Sequence, residues 1–557
     1  MSSLKVVGGI LSVGVMVGGV PQTLQVARAG SPAPFTDEAL ARGVDYSSGI
    51  TLAKFGAGVA VVDMDNDSDP DIVGLGHKDG IVGIFENDGT GYFTNRSNGN
   101  GIPLVPEASG LSAVDYDSDG DLDLYITCDK FPNLLLRNDG NFQFTEVAVA
   151  AGVADQGSGQ GNAWGDVNGD GWLDLFVANR TFPWTSLLPN EMYLNNQDGT
   201  FQPTGETLGI GQSDDPTFTV RFFDYDRDGD ADFYLGNDHG TGPILHNHLF
   251  RNDGGTFVDV TATSHTEAEV DCMGIAIGDL DRNGYPDIYV TNIPSGNVLL
   301  MNQGDGTFTD ETLAYGVVSY LTGWGTTFID FDNDGWLDLY VNNMNGVNRM
   351  YSYTGSGMAT DIAPALGLDN PLTSFCVAKG DLDNDGDLDL VVQTNDEPFA
   401  VFINNEGQNR NWVKFRIGGR GANTFAVGAQ VDVITGVQTQ MHEVMGNANF
   451  KSQDDYVMHF GLDNLTSIDQ IIVTWPGGIS RTLYNYSANH TWTLWPPERM
   501  GDADGDGDVD ADDLNAVSTC INGPLDGSVV PGCEIIDMDG SGAVDLKDYA
   551  EFMAAAS

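Results

Sequence analysis

The residues that stand out as able to do chemistry are aspartates at alternate positions. The pattern D-x-[DN]-x-[DN]-x-x-x-D, followed by an apolar residue, occurs seven times. The loops start at Asp63, Asp115, Asp166, Asp224, Asp279, Asp330 and Asp381, with spacings of 52, 51, 58, 55, 51 and 51 residues. Positions 1, 3, 5 and 9 are Asp63, Asp65, Asp67 and Asp71 in the first loop, and Asp115, Asp117, Asp119 and Asp123 in the second. They are Asp166, Asn168, Asp170 and Asp174 in the third, and Asp224, Asp226, Asp228 and Asp232 in the fourth. The fifth has Asp279, Asp281, Asn283 and Asp287; the sixth has Asp330, Asp332, Asp334 and Asp338; the seventh has Asp381, Asp383, Asp385 and Asp389.

Alternate side chains of a tightly curled loop converge on one point. A cage of hard oxygens suits Ca²⁺ better than Mg²⁺, which demands rigid six-coordination and retains water. Two carboxylates ~4 Å apart repel by about 4 kcal/mol at an effective dielectric near 20, so several on one loop call for a cation among them. Glycine at position 6 (Gly120, Gly171, Gly229, Gly284, Gly335 and Gly386) permits the sharp bend, while the first loop has Ser68 there. Position 7 would lend only its carbonyl, and Trp172, Tyr285 and Trp336 stand at it.

Two longer loops lie near the C-terminus, DADGDGDVDADD from Asp502 and DMDGSGAVDLKD from Asp537. Their ligand positions 1, 3, 5, 9 and 12 are Asp502, Asp504, Asp506, Asp510 and Asp513, then Asp537, Asp539, Ser541, Asp545 and Asp548. Leu514, Val517 and Ile521 follow the first loop, and Leu546, Tyr549, Phe552 and Met553 the second, both at helical spacing. The sequence thus predicts up to seven Ca²⁺ ions in the repeats and two in the tail.

The elements that hold the seven loops repeat with them. A Gly-containing apolar stretch leads in (FGAGVAVVD, GWGTTFID), and a tetrad such as DLYI or DIYV leads out. An N-x-L-L-x-N strand, an NDG-type turn and a strand opening on Phe-Thr complete the unit. Four short strands per ~50 residues make a propeller blade. The seventh unit stops after its third strand, whereas FTDEALARGVDYSSG from Phe35 matches the fourth-strand segment FTDETLAYGVVSYLTG from Phe308. Pairing the two ends closes the ring and removes an open edge. The expectation is a mostly β chain with a seven-bladed β-propeller over residues 33–405.

These repeats resemble the FG-GAP/VCBS repeats of integrin α-chain propellers, and Phe55–Gly58 reads FGAG. The resemblance implies calcium that shapes the blades without catalysing. Strand-like runs follow at Trp412–Ile417, Ala429–Thr435, Gln438–Met445, Tyr456–Gly461, Ile471–Trp475 and Thr491–Trp495. The segments NRNWVKFRIGG, VGAQVDVITG, HEVMGNANFKSQDDYVMHFGL and IDQIIVTWPGG resemble the ASPIC/UnbV domain of the cartilage acidic protein family, placed at residues 408–496 and expected to be a small β-sandwich. The tail, residues 499–557, resembles a type I dockerin, which implies a cohesin-like partner. Its positions 10 and 11, Ala511-Asp512 and Leu546-Lys547, lack the family's Ser-Thr pair.

Composition narrows the function. A net charge of −58 argues against nucleic acid and anionic membranes as partners, since both require a basic face. With 41% hydrophobic residues the chain still builds cores. Lys5, the apolar run Val6–Val20 and Ala27-Arg28-Ala29 read as a signal peptide over residues 1–29 and predict export. Cys128, Cys272 and Cys376 read as core residues, and Cys520 and Cys533 as able to pair. The only close histidine pair, His246 and His248, has no third ligand beside it, and no G-x-S-x-G, H-E-x-x-H or C-x-x-C occurs. Trp164, Trp184, Trp324 and Trp336 read as blade packing before sugar platforms. No catalytic residue is assigned. The expectation is a secreted calcium-binding module that engages a protein or glycan; the alternative is a polysaccharide lyase, a glycoside hydrolase or an accessory subunit of such an assembly.

Overall fold

The computed structural model describes residues 33–49, 55–180, 188–210, 216–238, 246–293, 295–395, 397–447, 449–502 and 532–555, with four single positions between the last two segments. It also describes the backbone of two strands near the N-terminus, Val13–Val17 and Val20–Leu24, which pair antiparallel. The rest of the expected signal peptide, Trp184, and Asp504, Asp506 and Asp510 of the first tail loop lie outside the described residues.

Each repeat forms a four-stranded antiparallel sheet, seven in all. In the second, Ala108–Val114, Asp123–Cys128, Leu134–Asn138 and Phe144–Glu146 follow one another from the inside outwards. The first two strands are buried along their whole length, covered on both faces, with Ser109, Ser112, Asp123 and Thr127 buried among their apolar residues. The seventh sheet is composite. Ser374–Gly380, Asp389–Thr394 and Ala400–Asn404 are completed by Phe35–Asp37, with Phe35 opposite Asn404 and Asp37 opposite Phe402. First strands of successive sheets lie against one another all the way round, the seventh against the first included. Apolar cores sit between neighbouring sheets: Ala60, Val62 and Val73 of the first pack with Leu111, Ala113 and Leu124 of the second. Cys128, Cys272 and Cys376 are buried, as are Trp164 and Trp324.

Connectivity fixes the two ends of the ring. The Asp loops join first to second strands, and the NDG-type turns join third to fourth, so both lie at one end. The connections between second and third strands, and those from one sheet to the next, lie at the other.

Behind the ring, a three-stranded sheet (Asn411–Ile417, Met458–Asp463, Thr491–Leu494) and a four-stranded sheet (Gln430–Thr435, Gln438–Glu443, Ser467–Trp475, Ile479–Ser487) share one core. Ile536, Val544 and Phe552 of the tail join that core, and Cys520 is bonded to Cys533. The helix Leu546–Ala555 follows the second tail loop.

The segment between Glu443 and Met458 enters the ring. Gln453 pairs in parallel with Ala60, accepting from the Val61 N–H at 3.0 Å and donating to the Val59 carbonyl at 3.1 Å. The Lys451 carbonyl accepts from Leu111, and the Asp455 N–H donates to Lys379. Phe450 packs on Phe218 and Trp324, 5.8 and 5.4 Å between ring centres. The innermost strands of a propeller surround an axial channel, and this segment plugs it.

Candidate metal centres

All seven loops share one hydrogen-bond scheme. The first Asp accepts the backbone N–H of residue 5 on one oxygen and that of residue 6 on the other, at 2.7–3.2 Å. The ninth residue starts the second strand and reaches across to the third. Its Oδ1 accepts the N–H of Asn87, Asn138, Asn195, Asn252, Asn302, Tyr353 or Asn404 at 2.7–2.9 Å. In six loops its Oδ2 also accepts the N–H of residue 2. The ninth Asp therefore ties loop, strand and hairpin turn together.

Positions 1, 3 and 9 converge. Carboxylate oxygens of Asp63, Asp65 and Asp71, and of the corresponding trios at Asp115, Asp224, Asp279 and Asp330, lie within 4.8 Å of one another. The third residue supplies the test of fit. Oδ1 of Asp65, Asp117, Asp226 and Asp383 is buried with no hydrogen-bond partner, which is costly unless a cation meets it. An all-oxygen set of this kind suits a hard divalent ion.

Position 5 also has a backbone role. In every loop the fifth side chain, Asp170 and Asp385 included, turns its Oδ1 to the N–H of residue 7, an Asx-turn that shapes the bend.

Burial dominates the electrostatics of the ninth carboxylates. Burial, with neighbouring carboxylates adding to it, pushes Asp71 up to about 8, Asp123 to about 9 and Asp174 to about 8. Asp232, Asp287, Asp338 and Asp389 are raised well above the ordinary range for the same reasons. A cation in the trio would reverse that push.

The second tail loop repeats the scheme. Asp537 accepts the N–H groups of Ser541 and Gly542, both at 3.0 Å. Asp548, at position 12 and on the helix, accepts those of Asp539 and Asp545 at 3.2 and 2.8 Å, which is the part played by position 9 in the blades. Asp502 and Asp513 of the first tail loop are buried.

Three features were hidden in the sequence. The Asn closing each N-x-L-L-x-N strand is more than strand: Nδ2 of Asn87, Asn138, Asn195, Asn252, Asn302 and Asn404 donates to the carbonyl of loop residue 2 in the preceding sheet, at 2.7–3.1 Å. Position 4 links loops sideways: Asn66 donates to Gly120, Arg227 to Gly284, Arg282 to Gly335 and Asn333 to Gly386. Third, the C-terminal domain stands on the loops. Thr424 donates to Asp115 at 2.5 Å, Gln430 to Asp224 at 3.3 Å and Lys414 to Asp381 at 2.7 Å, and Arg410 pairs with Asp332 at 2.7 Å. The N-x-L-L-x-N motif was the only available signal for any of these.

Comparison with known proteins fits this geometry. The FG-GAP-like repeat family matches residues 63–126, 166–235, 224–290, 279–341 and 330–392, together just over half of the chain, and each match begins on the first Asp of a loop. The ASPIC and UnbV family matches residues 419–500. Cartilage acidic protein 1 of Homo sapiens is 26% identical over 517 residues, covering 81% of this chain and 74% of that protein. Its Xenopus tropicalis counterpart is 27% identical over 488 residues, covering 78% and 72%. Likeness to solved structures is weaker: the crystal structure of BBS1N in complex with ARL6DN covers 67% of this chain and 98% of that chain at 11% identity, with a TM-score of 0.43, too distant to speak to function.

Proposed function

This chain belongs to the FG-GAP-like repeat family, and from that we propose that it is a secreted, calcium-binding, non-enzymatic binding protein built on a closed seven-bladed propeller. Calcium is held by positions 1, 3, 5 and 9 of the seven loops and by the two tail loops. Its chemistry there is to neutralise converging carboxylates and brace each blade. The observation that carries the reading is the convergence of positions 1, 3 and 9 around buried oxygens that have no hydrogen-bond partner. Carboxylates committed to backbone N–H groups are framework, which favours binding over polysaccharide cleavage.

The partner, a protein or glycan, is engaged by the end of the ring away from the loops, because the C-terminal domain stands on the loop end. The tail serves as a second docking element for a cohesin-like domain. Leu546, Tyr549 and Met553 are exposed along one side of its helix, 75, 36 and 47% accessible, which supports that role.

Glycan and surface-protein arrays probed with calcium-loaded and chelated protein, together with turnover assays on the same polysaccharides, test the proposal. Calcium-dependent binding without cleavage is expected. Chain cleavage by the purified protein would overturn the non-enzymatic reading.

A further inference from the structure

At the end of the ring away from the Asp loops, uncovered among the described residues, the connection Ile102-Pro103-Leu104-Val105-Pro106 enters the second sheet beside Phe131-Pro132 of the next turn and the one-turn helix Ala148–Ala151. Together they line an open groove of about 290 Å³. Leu104 is 69%, Phe131 52% and Val149 79% exposed, so these large apolar side chains face solvent instead of joining the cores between sheets. Contiguous exposed apolar surface in a folded chain marks a contact site.

We propose that this groove takes an extended segment of a partner protein carrying a large apolar side chain flanked by Lys or Arg. The inference rests on the reading that the uncovered end engages a protein, and it names the place and the chemistry. The floor is apolar, but carboxylates of Glu107 and Glu146 stand in the walls. The Ala148 N–H, 2.8 Å from Glu146, holds that carboxylate at the rim. The nearby cation Lys130 is paired with Asp129 at 3.1 Å. A basic flank is therefore attracted, both by the walls and by a chain of net charge −58. The same charge opposes a second copy of this chain and an anionic lipid surface. Pro103, Pro106 and Pro132 have no N–H to offer an incoming strand, so recognition is by a side chain seated in the cleft, not by strand addition.

The test uses the full calcium-loaded chain and short synthetic peptides in which a central Leu, Phe, Met or Trp is flanked by Lys or Arg. Peptides with acidic flanks or a central Ser serve as controls. Basic, apolar-centred peptides are expected to bind and the controls to fail. Leu104→Ser with Val149→Ser should weaken binding about tenfold, the equivalent of ~1.4 kcal/mol. Glu146→Gln should weaken it severalfold and flatten its salt dependence. The substituted residues are exposed, so an unchanged melting curve shows that each variant folds. Equal binding of acidic-flanked peptides, no binding at all, or undiminished binding by the groove variants each overturns the proposal. Hydrogen-exchange mapping separates its failure from that of the wider reading: protection in other connections of the uncovered end sinks the groove alone, whereas protection at the Asp-loop end sinks both.

Discussion

The seam between the fifth and sixth sheets is built differently from the other six. At those six, an Asn amide crosses to the preceding sheet, as from Asn302 to the Tyr225 carbonyl at 2.9 Å. At the fifth–sixth seam the position is Tyr353, whose ring packs on Tyr315 and Trp336, 5.2 and 5.7 Å between centres. The Arg282 guanidinium lies 3.8 Å from the centre of the Trp336 ring. The ninth Asp differs too: Asp338 keeps its bond to the Tyr353 N–H at 2.9 Å, but its Oδ2 is buried with no hydrogen-bond partner. The amide stitch is thus separable from the carboxylate cage. A seam lacking the stitch leans on aromatic packing, on the Arg282 bond to the Gly335 carbonyl and on any cation its trio holds.

Removing calcium gives the largest expected effect. An ion bound only by the native state contributes RT ln(1 + [Ca²⁺]/Kd), about 2.7 kcal/mol per site at a hundredfold excess, so chelation should lower the melting temperature by ten degrees or more, roughly. In chelator, amide protection should fail first in Val298–Asn302 and Asp338–Asn343, which flank the odd seam. Protection lost evenly around the ring would break the comparison.

Chelated protein should also respond to pH in a set direction. Burial holds Asp71 near about 8 and Asp123 near about 9, whereas both titrate near ~4 when unfolded. Between those values the native state binds more protons than the unfolded one, so stability falls as pH rises from about 4 to about 9. Calcium should abolish that slope, because it favours the charged form. Melting curves across pH, with and without chelator, check the sign.

Single substitutions sharpen the contrast. Asp123→Ala leaves the N–H groups of Asn138 and Tyr116 without their acceptor and should cost about 2–6 kcal/mol at about 1–3 per buried group. Asp338→Ala strands only the Tyr353 N–H, so in chelator it should cost about half as much. Asn302→Ala should cost about 1–2 kcal/mol. Denaturant melts of the three variants rank them, and equal costs for Asp123 and Asp338 would contradict the special character of the sixth sheet.

The loops were legible in the sequence because four Asp or Asn positions at fixed spacing, seven times over, leave little else for the chain to do. The ring's composite sheet was legible because Phe35–Asp37 repeats the fourth-strand signature. Ile479–Ser487 was missed because ISRTLYNYS mixes polar and apolar residues without clear strand alternation. The plug was hidden for a stronger reason. GNANFKSQDD lies between the strand-like runs Gln438–Met445 and Tyr456–Gly461 and has no strand pattern of its own, yet Lys451 and Gln453 are 2 and 1% exposed. Their backbone groups pair with Val59, Val61 and Leu111 of the inner strands, the Lys451 ammonium donates to the Phe55 carbonyl at 3.3 Å, and the ion pair of Lys379 with Asp454, 3.7 Å apart, adds to that support. Pattern reading assigns polar segments to water, and it has no means of finding a polar partner that lies hundreds of residues away.

The smallest effect separates ion from aromatic support at the odd seam. Trp336→Ala removes the ring that Tyr353 packs against and that Arg282 covers. Aromatic pairs contribute roughly 0.5–1.5 kcal/mol and cation–π contacts roughly 0.5–1, so the loss should be about 1–2 kcal/mol. Trp172→Ala, at the same loop position in the third sheet, is the control, because there Asn195 supplies the stitch to the Tyr116 carbonyl at 3.1 Å. With calcium present the difference between the two variants should shrink, since the ion supports both loops; in chelator it should widen. If Trp336→Ala matches Trp172→Ala under both conditions, the aromatic cluster does not replace the missing stitch, and the seam relies on the ion and on the Arg282 bond to Gly335.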